Sequence, residues 1–394
     1  MQILFLTSRL PYPPNRGDRL RTYHLLKNLG SEHEITLVTF VNGVDEAELA
    51  GELEVLCEEI YVIRRPALRS LFSVASNLWR SLPMQLLYYR SRKMQRLVDT
   101  LLANETYDAA YVHLFRMAPY VTNTHNLYRI VDLTDMISSE IEASMPYRTL
   151  ASRMVYSIEQ PRIASFERFV ASWAEETWLI SDRDRLLLAE SHPEANLQTV
   201  PNGVDLVRFF PVEEQKKEMR LLFVGHLDVF HNIDAVSFLV DEILPLVRQR
   251  IPQCTLDIVG AGKGTKLSGL GRKEGVRIRG FVPDLNQALN EAAVFVAPLR
   301  FSAGVQNKVL EAMAAAVPVV TTSNVNEGLA AQPQQDMLVG DGADELSQMI
   351  ISLLEDEPMR MRIGQAGRRF VEQRFSWQRA VERLGKIERL LSQS

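Results

Sequence analysis

The stretch from Ala293 to Thr322, AVFVAPLRFSAGVQNKVLEAMAAAVPVVTT, constrains this chain more than any other, because it reads as strand, glycine-bearing loop, helix and strand in quick succession. Val294 to Pro298 is an apolar run of the length of a buried parallel strand, and Pro318 to Thr321 begins another with β-branched residues. The intervening helix is predicted to start near Asn307. Its first N–H groups lack intrahelical partners and carry the positive end of the helix dipole, so the loop Ser302-Ala303-Gly304-Val305-Gln306 can offer backbone donors to a phosphate. Lys308 adds a positive charge there, and Glu311, one turn further along the same side, can accept hydrogen bonds from a ribose diol. The competing reading of that spacing is an ordinary surface ion pair.

A chain of 394 residues exceeds what one hydrophobic core organises, so two domains are expected. Strands are predicted at Ile3–Thr7, Ile35–Phe40, Glu59–Ile63, Ala109–His113, Arg129–Leu133 and Thr177–Ile180, with helical patterns between them, the first from about Asp18 to Leu29. A second series covers Leu221–Val224, Thr255–Val259, Arg277–Phe281, Val294–Pro298 and Pro318–Thr321. Alternation of this kind means parallel sheets covered by helices, hence an α/β chain of two Rossmann-like, doubly wound domains facing a cleft at the carboxyl ends of the strands. The turn signal Pro201-Asn202-Gly203 and the charged run Glu213 to Glu218 put the linker near Asp205 to Met219. The first domain is therefore placed at residues 1–205 and the second at 206–375.

Hydrophobic residues at 46%, charged residues at 24% and a net charge of −5 are ordinary for a globular protein and argue against nucleic acid as a partner. The apolar run in MQILFLTSRLPYPP is too short for a signal-peptide core, and no segment reaches the roughly 18 apolar residues that span a bilayer, so a cytoplasmic protein is expected. Cys57 and Cys254 fall in different predicted domains and form no Cys-x-x-Cys, which fits a reducing compartment.

NKVLEAMAAAVPVV resembles the donor-binding signature of the family 4 retaining glycosyltransferases, in which a Glu precedes an Ala-Met-Ala helix and a Pro-Val-Val strand. The similarity of organisation extends over nearly the whole chain and is nearest to the branch associated with exopolysaccharide assembly. It implies the glycosyltransferase B (GT-B) architecture, with residues 376–394 as a last helix crossing back to the first domain. It also implies that a nucleoside diphosphate sugar is the donor and that no other cofactor is used. Where the family carries Gly-Arg and then a Lys reaching the diphosphate, this chain has Gly225, His226 and His231, which bear less fixed charge at neutral pH. Neutral hydrogen bonding by both imidazoles is the alternative. Eight residues before Glu311 the family's first signature Glu is replaced by Ala303, and Gly304-Val305-Gln306-Asn307-Lys308 resembles a Gly-x-x-x-Lys version of the motif. The donor sugar is then expected on backbone N–H groups and Gln306. Phe281 and Val282 stand where the family reads the nucleotide base, with Phe281 as plain core the competing reading. The loop from Gly260 to Gly264 is too common a pattern to assign to the site.

After the first strand, the resemblance places a flexible turn at Gly17 that closes over donor and acceptor; the alternative is a simple helix start capped by Asp18. The family's His after the fifth strand is absent, which leaves Asp132, Asp135 and, at the end of the preceding strand, His113 as catalytic candidates, although an Asp after a strand often caps a helix. Retention in this family is explained by attack and departure on one face of the sugar, so positioning and stabilisation of the leaving diphosphate dominate. No metal-ligand spacing is present, and no metal is expected.

From Tyr61 to Leu102, Arg64, Arg65, Arg69, Arg80, Arg90, Arg92, Lys93 and Arg96 face a single acid, Asp99, and are interleaved with apolar residues. That is the composition of an interfacial segment, which suggests attachment to an anionic membrane surface; helices with an apolar core face and a basic outer face are the alternative. The expectation is a retaining, metal-independent transferase moving a hexose onto a polysaccharide or lipid-linked glycan. The alternatives are a non-catalytic nucleotide- or glycan-binding module of the same fold, and an epimerase, for which no convincing acid–base cluster is found.

Overall fold

The run ILFL near the N-terminus has no polar side to turn toward water, and the structure buries it on both faces as part of the strand Gln2–Thr7. The structure is a computed structural model that describes residues 1–66, 70, 73, 76, 81–124, 126–212, 219–262 and 269–392. The chain divides into two units, Met1–Pro201 with Trp377–Ser394, and Asn202–Ser376.

In the first unit the described strands are β1 (Gln2–Thr7), β2 (Glu34–Val41), β3 (Glu59–Arg64), β4 (Ala109–His113), β5 (Tyr128–Thr134), β6 (Glu176–Leu179) and β7 (Leu197–Thr199). They form one parallel sheet in the order β3-β2-β1-β4-β5-β6-β7. Alternate residues feed two cores: Leu4, Leu6, Val38 and Val112 point to one face, and Ile3, Phe5, Leu37 and Tyr111 to the other. The helix Gln378–Leu391 covers the second face with Ala380, Val381, Leu384 and Ile387, and Arg383 Nε donates to Glu176 Oε1 at 2.6 Å.

A buried polar network ties the helix Gly17–Leu29 to this sheet. The Arg21 guanidinium, fully enclosed, meets the enclosed Asp132 carboxylate through Nε and donates from Nη1 to the Val200 carbonyl at 2.9 Å. Tyr111 donates its hydroxyl to the same carboxylate, and the Thr134 backbone N–H supplies a further bond at 3.0 Å.

The second unit has described strands β8 (Arg220–Val224), β9 (Thr255–Val259), β10 (Val276–Gly280), β11 (Val294–Ala297), β12 (Val319–Thr321) and β13 (Leu338–Val339), all parallel, in the order β10-β9-β8-β11-β12-β13. Both sheets are therefore doubly wound, as the alternating sequence pattern predicts. The strands β7 and β13 escape that pattern because runs of two or three residues are too short to show a period. Asp18 is not a helix cap: the helix opens at Gly17, and Asp18, inside the first turn, accepts from Arg9 Nη1 at 3.0 Å and from the Arg19 N–H. The charged run 213–218, the Lys263-Gly264 part of the glycine loop, and Arg69 and Arg80 of the basic stretch lie outside the described residues.

Removing one partner from a buried ion pair strands the other charge, at a cost of about 3–5 kcal/mol, whereas losing one hydrogen bond to a charged group costs about 1.5–3 kcal/mol. Asp132→Ala is therefore expected to be more destabilising than Tyr111→Phe. All four tryptophans (Trp79, Trp173, Trp178, Trp377) belong to the first unit, so urea unfolding followed by tryptophan fluorescence measures both variants there. Equal midpoints for the two would contradict this account.

Candidate donor-binding site

The helix at the centre of the sequence argument runs from Asn307 to Ala314, with extended Gln306 at its cap position and no side chain capping its start. The loop before it turns through Gly304 at φ 55°, a left-handed conformation that glycine adopts without strain. A Cβ built on Gly328, in the neighbouring helix Ser323–Leu329, would stand 2.0 Å from the Gly304 carbonyl oxygen, so the loop position depends on glycine there too. Ser302 Oγ donates to Asn324 Oδ1 at 2.8 Å, and the Arg300 guanidinium grips Asp234 through Nε at 2.9 Å, anchoring the loop from both ends. Gln306 Nε2 donates to the Ala303 carbonyl at 3.0 Å. Its side chain thus braces the loop in this conformation, and the backbone N–H groups remain the donors aimed at a ligand. Val305 is buried and contributes main chain only.

Lys308 and Glu311 lie on the first turns of this helix, each partly exposed. Lys308 Nζ donates to Asn232 Oδ1 and stands 5.2 Å from the centre of the Phe223 ring. Burial pushes the Lys308 ammonium down to about 7 against the pull of Glu311. Burial likewise pushes the Glu311 carboxyl up to about 7, opposed by the charges of Arg208 and Lys308. Neither is a solvated surface charge, which disfavours the simple ion-pair reading.

The segment after β8 forms the facing wall. Gly225 donates its N–H to the Val259 carbonyl at 3.0 Å, and a Cβ there would meet the Asn232 side chain at 2.9 Å. Asn232 is almost fully buried and divides its amide between two tasks, donating to the His226 carbonyl at 3.0 Å while accepting from Lys308. His226 is partly exposed, with Nδ1 accepting from the Asp228 N–H at 3.4 Å; His231 occupies the first turn of the helix Phe230–Phe238. The Gly260 loop packs directly beneath, where a Cβ on Gly260 would stand 1.8 Å from the Gly225 carbonyl, and the Ala261 carbonyl accepts from the Leu227 N–H at 2.8 Å. That loop supports the site wall. Phe281, after β10, is 70% exposed, so it is not core; Val282 beside it is partly buried.

Sequence reasoning missed Asn232, Asn202 and Arg208. Asn202 Nδ2 donates to Asn307 Oδ1 at 2.9 Å, and the Arg208 charge bears on Glu311. Asn232 follows His231 directly, but nothing local to residue 232 announces a partner at 308.

In the first unit, the catalytic candidates separate. Asp132 is enclosed as the counter-ion of Arg21 and holds no free face, so its role is structural: the pattern "Asp after a strand" here marks a buried ion pair. His113 is also buried, with Nε2 3.5 Å from Thr134 Oγ1, and burial lowers it to about 4, so it is a neutral imidazole at pH 7. Asp135 is partly exposed, its Oδ1 has no hydrogen-bond partner among the described residues, and burial followed by the Asp184 and Glu140 charges raises it well above the usual carboxylate range. Its environment therefore favours the neutral carboxyl over the carboxylate. Gly17 is exposed at its helix start.

The raised carboxyl of Glu311 has a measurable consequence. With a folded value of about 7 against an ordinary 4.5, its contribution to stability is present below pH 4.5 and lost as pH rises through 7. Glu311→Gln lacks that loss. Discounted for partial exposure, the variant is expected to gain about 1 kcal/mol over the parent at pH 8, raising the second unit's Tm by about 2–4 °C. Calorimetric unfolding at pH 5 and pH 8 checks this, and a gain no larger at pH 8 than at pH 5 would refute it.

Comparison with known proteins fits this geometry. Residues 218–356 match the family model described as "Glycosyl transferases group 1". A GDP-mannose-dependent monoacylated alpha-(1-6)-phosphatidylinositol monomannoside mannosyltransferase of Corynebacterium glutamicum is 31% identical over 224 residues, covering 50% of this chain and 56% of that protein. The chain thus matches only about half the length of that relative. Among solved structures, sucrose-phosphate synthase from Thermosynechococcus elongatus superposes with a TM-score of 0.72 over 100% of both chains at 16% identity. Anabaena Alr3699/HepE in complex with UDP-glucose does so with 0.69 over 100% of both chains, at 15% identity. The chain has the GT-B fold, and the matched domain in its second unit supports its being a glycosyltransferase.

Proposed function

We propose that this protein transfers a hexose, with retention of configuration and without a metal ion, from a nucleoside diphosphate sugar to a polysaccharide or lipid-linked glycan. The observation that carries the reading is the pairing of Lys308 and Glu311, both partly buried, on a helix whose start no side chain caps. A free helix start, left-handed Gly304 and a partly discharged Lys308 await an anion, while Glu311 is set one turn away to receive a diol. A bound diphosphate would restore the Lys308 ammonium by placing opposite charge beside it. The exposed Phe281 is available to stack on a base, and His226 and His231 are positioned on the wall to donate to phosphate oxygens.

Three inputs support the transferase reading over a binding module. The matched region spans the second unit's nucleotide-type sheet. The Corynebacterium relative is named as GDP-mannose-dependent, and the Anabaena structure was solved with UDP-glucose. Chemistry would then rest on positioning the acceptor hydroxyl against the anomeric carbon. The leaving diphosphate, stabilised by Lys308 and the helix start, takes the acceptor proton. Asp135, partly exposed and with Oδ1 unpartnered among the described residues, is the candidate first-unit carboxyl left to orient an acceptor hydroxyl. Exopolysaccharide assembly at the inner face of a membrane fits the exposed Arg92, Lys93 and Arg96 of the helix Arg92–Asn104. No described helix is long and apolar enough to cross a membrane. Leu86, Leu87 and Tyr89, interleaved with the basic residues, are core, so attachment would be electrostatic at this segment.

Titration calorimetry with UDP, GDP and ADP in EDTA tests the donor site: one nucleotide binds selectively, and Glu311→Ala weakens it by about 1.5–3 kcal/mol. Absence of binding by all three would favour the non-catalytic module. The preferred nucleotide's sugar, supplied with a lipid-linked glycan, should give an α-anomeric product by proton NMR; turnover without acceptor would point to an epimerase instead. Flotation with anionic and neutral vesicles reads the membrane arm: binding is expected to the anionic ones only, and to be released by salt.

A further inference from the structure

Away from Lys308 and Glu311, the first unit gathers three arginines around one tyrosine. Tyr89 is 4% exposed, and the guanidinium carbons of Arg65 and Arg116 stand 4.7 Å and 4.8 Å from its ring centre. Arg9 interacts with its hydroxyl. The three arginines follow the carboxyl ends of β1, β3 and β4, so the sheet topology converges them from positions far apart in sequence.

Their charges are poorly compensated. Arg9 has Asp18 at 3.0 Å. Arg65 bonds the neutral Asn42 Oδ1 at 2.7 Å, and its Nε is buried without a hydrogen-bond partner. Arg116 bonds the neutral Ser8 Oγ at 3.1 Å and Gln85 Oε1 at 2.7 Å. Among the described residues no carboxylate lies within salt-bridge distance of Arg65 or Arg116, and residues 60–98 contain no Asp or Glu at all. Burial, and then the charges of Arg9 and Arg65, hold Arg116 below its ordinary value against the pull of Tyr89 and Asp18. A cluster of this kind is costly unless an anion completes it.

Tyr89 and Arg116 also line an adjoining cavity of about 440 Å³, whose other described walls include Leu82, Leu86, Leu87, Phe166 and Phe169. Arg90 and Arg92 line it as well. The volume is within the range of small-ligand sites, which run from about 300 to 1,000 Å³. An apolar chamber sharing a wall with a cationic cluster of three arginines and one paired carboxylate, Asp18, matches an amphiphile in both halves. The geometry points to a binding site for a lipid phosphate, its phosphate held by Arg116, Arg65 and Arg9 around Tyr89 and the start of its chain lodged against Phe166 and Phe169. Arginine suits the head because its planar fork binds phosphate oxygens in pairs. That this lipid is the glycan acceptor rests on the transferase reading; its binding does not.

The test is calorimetric titration of the full-length protein with octyl phosphate below its micellar concentration, with octyl glucoside and inorganic phosphate as the uncharged and chainless probes. Octyl phosphate is expected to bind at least tenfold more tightly than either. Arg116→Met and Arg65→Met are each expected to weaken it tenfold or more and to abolish inorganic phosphate binding. Phe169→Ser should weaken octyl phosphate several-fold and leave inorganic phosphate unchanged. Tryptophan fluorescence in urea verifies that each variant folds, and nucleotide binding to the second unit should be the same in all. Octyl phosphate affinity unaltered in both arginine variants, or equal affinity for octyl glucoside, would overturn the site. Failure of nucleotide binding alongside arginine-dependent octyl phosphate binding would instead sink the transferase reading and leave this site standing.

Discussion

A parallel sheet covered on both faces leaves one kind of opening for chemistry, the row of loops at the carboxyl ends of its strands. This chain builds two such sheets, and the residues discussed here obey that constraint. Arg9, Arg65 and Arg116 follow β1, β3 and β4; Gly225, Phe281 and the Gly304 loop follow β8, β10 and β11. The loops are held by backbone contact as much as by side chains. Gly260 lies against the Gly225 carbonyl and Gly328 against the Gly304 carbonyl, each closer than any Cβ permits. Such contacts hold the main chain of both loops in place by close packing, in addition to side-chain hydrogen bonds.

Two buried ionic arrangements in the molecule illustrate how structure and function divide. Around Asp132, Arg21, Tyr111 and the Thr134 N–H surround the carboxylate, so its charge is well compensated in place. Around Lys308 and Glu311 the compensation is partial: burial displaces both groups toward neutrality, and Lys308 donates to the amide oxygen of Asn232. A buried pair that is complete contributes to the fold. One that is incomplete stores interaction free energy that a ligand of the right charge releases.

What the sequence disclosed follows the range of the interactions involved. The alternation of apolar runs and amphipathic segments located the long strands and both sheets, because that signal is local. Lys308 and Glu311 were legible for the same reason, being on one helix at fixed spacing. Asp132 was not: its partner Arg21 is 111 positions away, and only the sheet brings them together. Asn232 and Lys308, 76 positions apart, are another such pair, and the arginines around Tyr89 come from three separate loops. Phe281 was undecided between core and ligand contact, since an aromatic after a strand carries no mark of its exposure.

The replacement of a signature Glu by Ala303 also has a physical reading. A carboxylate in this loop would sit beside a helix start that already needs an anion, competing for the same donors. With Ala303 instead, its carbonyl takes up the Gln306 side chain at 3.0 Å, which closes the loop on itself and leaves the main-chain N–H groups as the available donors. A donor sugar bound as proposed would then meet fewer fixed acceptors for its hydroxyls, and discrimination between epimeric hexoses would come from elsewhere in the site. With His226 and His231 in place of permanent cations, the charge of the proposed site would rest on Lys308, which burial pushes down to about 7 and which a bound diphosphate would raise again. Donor binding at the proposed site would then be linked to proton uptake by Lys308, and affinity for the diphosphate should fall as pH rises through about 7.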